Sequence, residues 1–124
     1  MRKILITGGA GFIGSNLCEA LTDMGYQVRC LDDLSTGKEE NVKLLADRPN
    51  YTFIKGNLAD KALINSIFEQ YHPDIVVNLG AQAGVRYSIT NPDAYIESNV
   101  IGFYNILEAC RHYPVKHLVY ASSS

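Results

Sequence analysis

The stretch "KILITGGAGFIGSNL" (3–17) decides the fold. Its first five residues, "KILIT" (3–7), are a β-branched apolar run that reads as a buried strand. Glycines at 8, 9, 11 and 14 come next. The segment "FIGSNLCEALTDMG" (12–25) then sets Ile13, Leu17, Ala20, Leu21 and Met24 at helical spacing, with Gly25 as a stop. Gly9, Gly11 and Gly14 satisfy G-x-G-x-x-G, and Gly8, Gly11 and Gly14 also give G-x-x-G-x-x-G. A strand before and a helix after are the context such a loop needs. The early glycines let the chain turn tightly, Gly11 lets the backbone approach a pyrophosphate, and Gly14 allows the helix to pack close to the strand. The helix N-terminus supplies free N–H groups and a positive partial charge.

Working outward, "QVRCLD" (27–32) is a second strand, and it ends on Asp32, 18 residues past Gly14. A carboxylate there accepts hydrogen bonds from ribose hydroxyls and repels a 2′-phosphate. Asp33 adds to the repulsion and Lys38 is the only nearby cation, so NAD is expected over NADP. A Walker A loop is excluded, because no Gly-Lys-Ser/Thr follows the glycines.

Strand and helix keep alternating. "LSTGKEENVKLLADRPN" (34–50) is a polar loop holding a short helix, "YTFIKG" (51–56) a third strand, and "DKALINSIFEQYHP" (60–73) a helix capped by Asp60. "DIVVNL" (74–79) is continuously apolar, as in a parallel strand covered on both faces. A loop, "GAQAGVRYSITNP", leads to a long helix from about 92 to 113, and "KHLVYAS" (116–122) is a fifth strand. The pattern predicts an α/β, doubly wound, Rossmann-type parallel sheet of five strands in the order 3-2-1-4-5, with 1–124 as one domain. In the long helix Ile96, Val100, Phe103, Leu107 and Cys110 form one stripe, with Ile101 and Tyr104 on its flank. A helix apolar over more than one face wants cover on more than one side, so self-association through helix 92–113 and strand 116–122 is expected.

Composition narrows the function classes. Hydrophobic residues make up 47% and charged residues 19%, as in an ordinary folded domain. A net charge of −2 offers no basic field for nucleic acid. Glycines interrupt the N-terminal apolar run before it can serve as a signal peptide, and no apolar stretch reaches the roughly 20 residues of a membrane span. Cys18, Cys30 and Cys110 have no CxxC spacing and fall within apolar segments, which points to reduced buried thiols and a cytoplasmic location. His72, His112 and His117 lack partners at metal-ligand spacing, so no metal is expected.

The segments "TGGAGFIGSNL", "LDDLSTG", "NLGAQAGVRYSITNP", "ESNVIGFYNILEAC" and "VYASSS" resemble, in order, the extended short-chain dehydrogenase/reductase family of NAD-dependent nucleotide-sugar epimerases and dehydratases. "AQAGVRYSI" is most similar to the UDP-glucuronate 4-epimerase branch. The resemblance implies that Gly8, Gly11, Phe12, Ile13 and Gly14 hold a pyrophosphate, that Asp32 takes the ribose with Asp33 beside it in the cofactor site, and that Ser35, Thr36 and Gly37 flank the adenosine. Asn57 and Leu58 fall at the adenine edge, where the family usually has Asp after the glycine. Leu79, Gly80, Ala81 and Gln82 run beneath the cofactor, and Asn99 orients its polar groups. Arg86, Tyr87 and Ser88 become candidates for a UDP-sugar substrate, and Ser124, with Ser123 behind it, for the catalytic hydroxyl.

The family's chemistry also needs Tyr-x-x-x-Lys on a helix, where the ammonium lowers the phenol pKa for general-base work. Tyr51 and Lys55 have the spacing but fall on the third strand, where the two positions are separated by about 13 Å of rise. The expectation is therefore the N-terminal, cofactor-binding part of an epimerase, inactive alone, whose catalytic helix and substrate domain lie elsewhere. The alternatives are a dehydratase or decarboxylase of the same family, or a non-catalytic dinucleotide-binding module.

Overall fold

The computed structural model describes residues 2–8, 12–34, 39–79 and 101–120. Strands β1 (Lys3–Thr7), β2 (Gln27–Asp32), β3 (Tyr51–Lys55), β4 (Ile75–Asn78) and β5 (His117–Tyr120) pair in parallel, in the order β3-β2-β1-β4-β5. The order 3-2-1-4-5 read from the sequence is the order observed. Helices α1 (Phe12–Asp23), α2 (Glu39–Lys43), α3 (Lys61–Tyr71) and α4 (Gly102–His112) lie between the strands. Asp60 caps α3, its side chain accepting from the Leu63 N–H, and His72 closes that helix in the left-handed region at φ +51°.

Alternation along β1 divides the core. Ile4 and Ile6 face Cys18, Val28, Cys30, Val42 and Leu45 on one side of the sheet. Leu5 faces Leu31, Ile64, Phe68, Tyr71, Val76 and Ile106 on the other. Both faces of the central strands are thus covered, which is why their sequences are apolar without alternation.

The helix faces that meet the sheet differ from those read off the apolar spacing. In α1 the buried positions are Gly14, Cys18 and Thr22, whereas Ile13 is 71% exposed and Met24, just past the helix end, 67%. In α4 they are Gly102, Asn105, Ile106 and Ala109, while Leu107, Tyr104 and Ile101 are exposed. The physical reason is proximity: small side chains let a helix axis come close to the strands, so the contact stripe is set by size as much as by hydropathy. Of the apolar stripe predicted for the long helix, Leu107 is exposed and Cys110 packs against the core, while Ile96 and Val100 lie outside the described residues. Val119 and Tyr120 of the edge strand β5 are also exposed, and Phe103 lies 5.1 Å, centroid to centroid, from Tyr120.

Tyr71 ties the helical layer to the strands. Its hydroxyl lies 3.1 Å from the Ile4 carbonyl and 3.0 Å from that of Gln27, and the Arg29 guanidinium sits 4.3 Å from the ring centroid. Burial is the main cause that pushes its phenol up to about 12 from the usual value near 10. A raised folded-state pKa gives stability that is complete below pH 10 and lost as pH climbs toward 12. Burial raises Tyr51 in the same direction, so the informative quantity is the difference between the native protein and Tyr71→Phe. Urea unfolding should show that difference shrinking by about 2 kcal/mol between pH 9 and 12. A constant difference would mean that Tyr71 ionises as readily folded as unfolded.

Candidate functional site

Parallel pairing brings the C-terminal ends of β1, β2 and β3 to one edge of the sheet. Gly8 follows β1 with φ +79°, a conformation glycine adopts without penalty, and its N–H donates to the Leu31 carbonyl at 2.8 Å. Gly56 follows β3, and its N–H donates to the Asp32 carbonyl at 3.1 Å. A Cβ on Gly56 would sit 2.3 Å from Leu63 Cδ2, so α3 closes tightly under this turn. Above these contacts lies a cleft of about 260 Å³, open to solvent. Gly8, Leu31, Asp32, Asp33, Gly56, Asn57 and Leu58 line it.

Asp32 is the buried carboxylate of this cleft. Its Oδ1 accepts from the Leu34 N–H at 2.8 Å, and Leu34 holds φ +64°. A leucine in the left-handed region is strained by roughly 1–2 kcal/mol. Here the strain accompanies a fixed carboxylate orientation, the kind of outlier found where a ligand is held. Gly14, in the first turn of α1, is buried, as close helix–strand packing requires.

An opening at the C-terminal ends of parallel strands, between a glycine turn leading to a helix and an acid ending the next strand, is the arrangement that receives a dinucleotide. Residues 4–124 match the NAD dependent epimerase/dehydratase family. The chain belongs to that family.

Protein CapI of Staphylococcus aureus is 47% identical over 127 residues, an alignment covering 98% of this chain and 38% of CapI. A protein described as a probable UDP-glucuronate 4-epimerase in Rhizobium meliloti is 37% identical over 127 residues, covering 98% and 37%. The crystal structure of the Thermus thermophilus UDP-glucose 4-epimerase in complex with NAD superimposes with a TM-score of 0.86 at 42% identity, covering 98% of this chain and 37% of that one. The chain therefore spans less than two fifths of the length of these relatives.

Within this family frame, the structure brings Gly8, Asp32, Asp33, Asn57 and Leu58 around one cleft. Ile13 is exposed at the start of α1. Leu79 hydrogen-bonds through its N–H to the Thr7 carbonyl at 2.8 Å, and its side chain packs on the Ile4/Ile6 core. Gly11, Ser35, Thr36, Gly37, Gly80, Ala81, Gln82, Arg86, Tyr87, Ser88, Asn99, Ser123 and Ser124 lie outside the described residues, as does the side chain of Phe12. Tyr51 and Lys55 are on β3 with Tyr51 buried, so this pair is not the catalytic one.

Two features escaped the sequence reading. Asn105 is buried on α4 and its Nδ2 donates to the Leu58 carbonyl at 2.8 Å, tying α4 to the floor of the cleft. Its signal was an amide falling in the Gly102/Ile106/Ala109 set, which a search for apolar stripes passes over. Thr7 and Asn78, both buried, join the ends of β1 and β4 through a hydrogen bond from the threonine hydroxyl to Asn78 Oδ1. A polar pair at the end of two apolar strands was visible in the sequence, but its pairing needed the register.

Among the described residues no group of His, Cys, Asp or Glu could hold a metal ion. No helix there is long and apolar enough to cross a membrane. Cys18, Cys30 and Cys110 are not joined in disulfides.

Proposed function

We propose that these residues form the NAD-binding part of a nucleotide-sugar 4-epimerase of the UDP-glucuronate/UDP-galacturonate type. The observation that carries the reading is the fixed, buried Asp32 carboxylate beside the Gly8 turn, in one cleft at the strand ends. The chemistry of that cleft suits an adenosine: a carboxylate such as Asp32 accepts from ribose hydroxyls, and the first N–H groups of a helix such as α1 attract a pyrophosphate. Gly8, Gly11, Phe12, Ile13 and Gly14 are assigned to the pyrophosphate, Asp32 and Asp33 to the ribose, and Asn57 and Leu58 to the base. The segments 35–37 and 79–82, with Asn99, complete the cofactor site. The negative charges of Asp32 and Asp33 select NAD against NADP.

NAD held there would supply a reversible hydride acceptor for C4 of the sugar. The chain's own part is to anchor the adenosine half, with Ser124 or Ser123 offering a hydroxyl to the sugar and Arg86 a bidentate contact to an anionic group. Residues 1–124 contain no Tyr-x-x-x-Lys on a helix, so the general base is assigned to chain beyond them. The exposed Ile101, Tyr104, Leu107, Val119 and Tyr120 supply an apolar surface for association of copies, and the buried reduced thiols suit the cytoplasm.

Calorimetric titration tests the cofactor reading. NAD is expected to bind at least tenfold more tightly than NADP, and absence of binding by either overturns the proposal. The substrate is tested by supplying the full natural chain with UDP-glucuronate and NAD. Accumulation of UDP-galacturonate supports the epimerase, whereas a 4-keto-6-deoxy product from dTDP-glucose moves the protein to the dehydratases. Residues 1–124 alone should turn over neither sugar.

A further inference from the structure

Two thiols meet beneath the helix that follows the glycine turn. Cys18 stands on α1, four residues past Gly14, and Cys30 on β2, two residues before Asp32. Both are 0% exposed, in the core that Ile4 and Ile6 share with Val28. Their side chains share a hydrogen bond, and the Tyr51 hydroxyl reaches Cys30 from β3. The two sulfurs thus start within hydrogen-bonding reach and have only to close to the ~2 Å of a disulfide.

Contact alone does not make them reactive. The shared hydrogen bond and burial hold the Cys18 thiol far above its usual range, and the thiolate is the nucleophile. An oxidant in solution also has no sulfur surface to strike while α1 lies on β2. Oxidation therefore waits for α1 to lift from the sheet, a local opening well short of global unfolding. Bound NAD opposes that opening. Its pyrophosphate is assigned to the first turn of α1 and its ribose to Asp32 at the end of β2, so one ligand bridges the two elements that carry the thiols.

Resting on the NAD-binding reading, we infer that Cys18 and Cys30 are a modification site, joined into a disulfide by peroxide when the cofactor site is empty and shielded when NAD fills it. One thiolate attacks a peroxide oxygen, the O–O bond breaks, and hydroxide leaves with the thiol proton as water, giving a sulfenic acid. The second thiol attacks that sulfur, the S–S bond forms, the S–O bond breaks, and a second water carries off the remaining proton. Two thiols are oxidised and one peroxide is reduced to two waters.

Trypsin cuts after Arg29, which places Cys18 in peptide 4–29 and Cys30 in peptide 30–38. The full natural chain is treated with hydrogen peroxide, with and without NAD at about a hundred times the dissociation constant found by calorimetry, then digested without reductant and followed by mass spectrometry. The expected product is peptide 4–29 joined to peptide 30–38, two hydrogens lighter than their sum. Its rate of formation should fall about a hundredfold in NAD, the factor by which the ligand depopulates an open form that does not bind it. Cys18→Ala should leave peptide 30–38 unpaired. Absence of the joined peptides, pairing of Cys30 with Cys110 instead, or a rate that bound NAD slows less than threefold overturns the inference and leaves the NAD site standing. Calorimetry that shows no NAD binding overturns both.

Discussion

Replacing Asp32 by alanine should weaken NAD binding about a hundredfold. Two ribose hydroxyls donating to one carboxylate form charge-assisted hydrogen bonds, each contributing roughly 1.5–3 kcal/mol. Losing both, with water partly compensating in an open cleft, leaves a deficit of about 3 kcal/mol, or two decades in affinity. Asp32→Asn keeps an oxygen for the Leu34 N–H and one acceptor for the ribose, so its loss should be nearer tenfold. The two variants also differ in the turn itself. Alanine removes the acceptor that accompanies the left-handed conformation of Leu34, and a drop of about 1 kcal/mol in stability should accompany the binding loss in that variant only. NADP should suffer far less than NAD in Asp32→Ala, because the lost carboxylate is also the charge that repels a 2′-phosphate. Calorimetry on both variants with both dinucleotides measures all of this. If Asp32→Ala binds NAD within threefold of the native protein, the ribose lies elsewhere and the cleft at the β2 end is not the adenosine site.

That the effect can be stated from one carboxylate reflects what the sequence made legible. The glycine turn and Asp32 mark two strand ends by themselves, since their spacing only makes sense if β1 and β2 are parallel neighbours with a helix between. Continuous apolar character in "DIVVNL" likewise told of a central strand, and Val76 and Val77 are buried in opposite cores. Helix facing was less legible. Apolar periodicity selected Ile13 in α1, Met24 just past its end and Leu107 in α4, all of them exposed, because small side chains such as Gly14, Gly102 and Ala109 carry too little hydropathy to dominate a pattern. At the site, "GN" where the family carries "GD" was plain to see. The partner of that amide oxygen was not, because only the folded turn brings the Ala59 N–H to Oδ1. Asn105 was hidden for a related reason: its partner is a backbone carbonyl 47 residues away.

Phe68→Ala should cost about 3–5 kcal/mol of stability, the largest single-residue effect expected in the protein. The ring is fully buried between α3 and the strands, in the cluster that contains Leu5, Ile64, Val76 and Ile106. Its centroid lies 6.5 Å from that of Tyr113, just past the end of α4. Removing it strips dispersion contacts from both helices and from the sheet at once, and relaxation cannot refill the space without moving one of them. The opposite core offers a contrast: Cys18 and Cys30 are equally buried, but Cys→Ala removes a single sulfur atom and should cost only about 1 kcal/mol. Against a typical net stability of about 5–15 kcal/mol, losing the phenyl ring leaves a marginal fold. The consequence reaches the cleft, because the same layer carries Leu58, and Asn105 of α4 holds the Leu58 carbonyl. Urea unfolding gives the stability loss, and hydrogen exchange at Gly56 and Leu58 should rise with it. A loss under about 1 kcal/mol would mean that α3 settles onto the sheet once the ring is gone, and that the α3–α4 layer is not what holds the floor of the cleft in place.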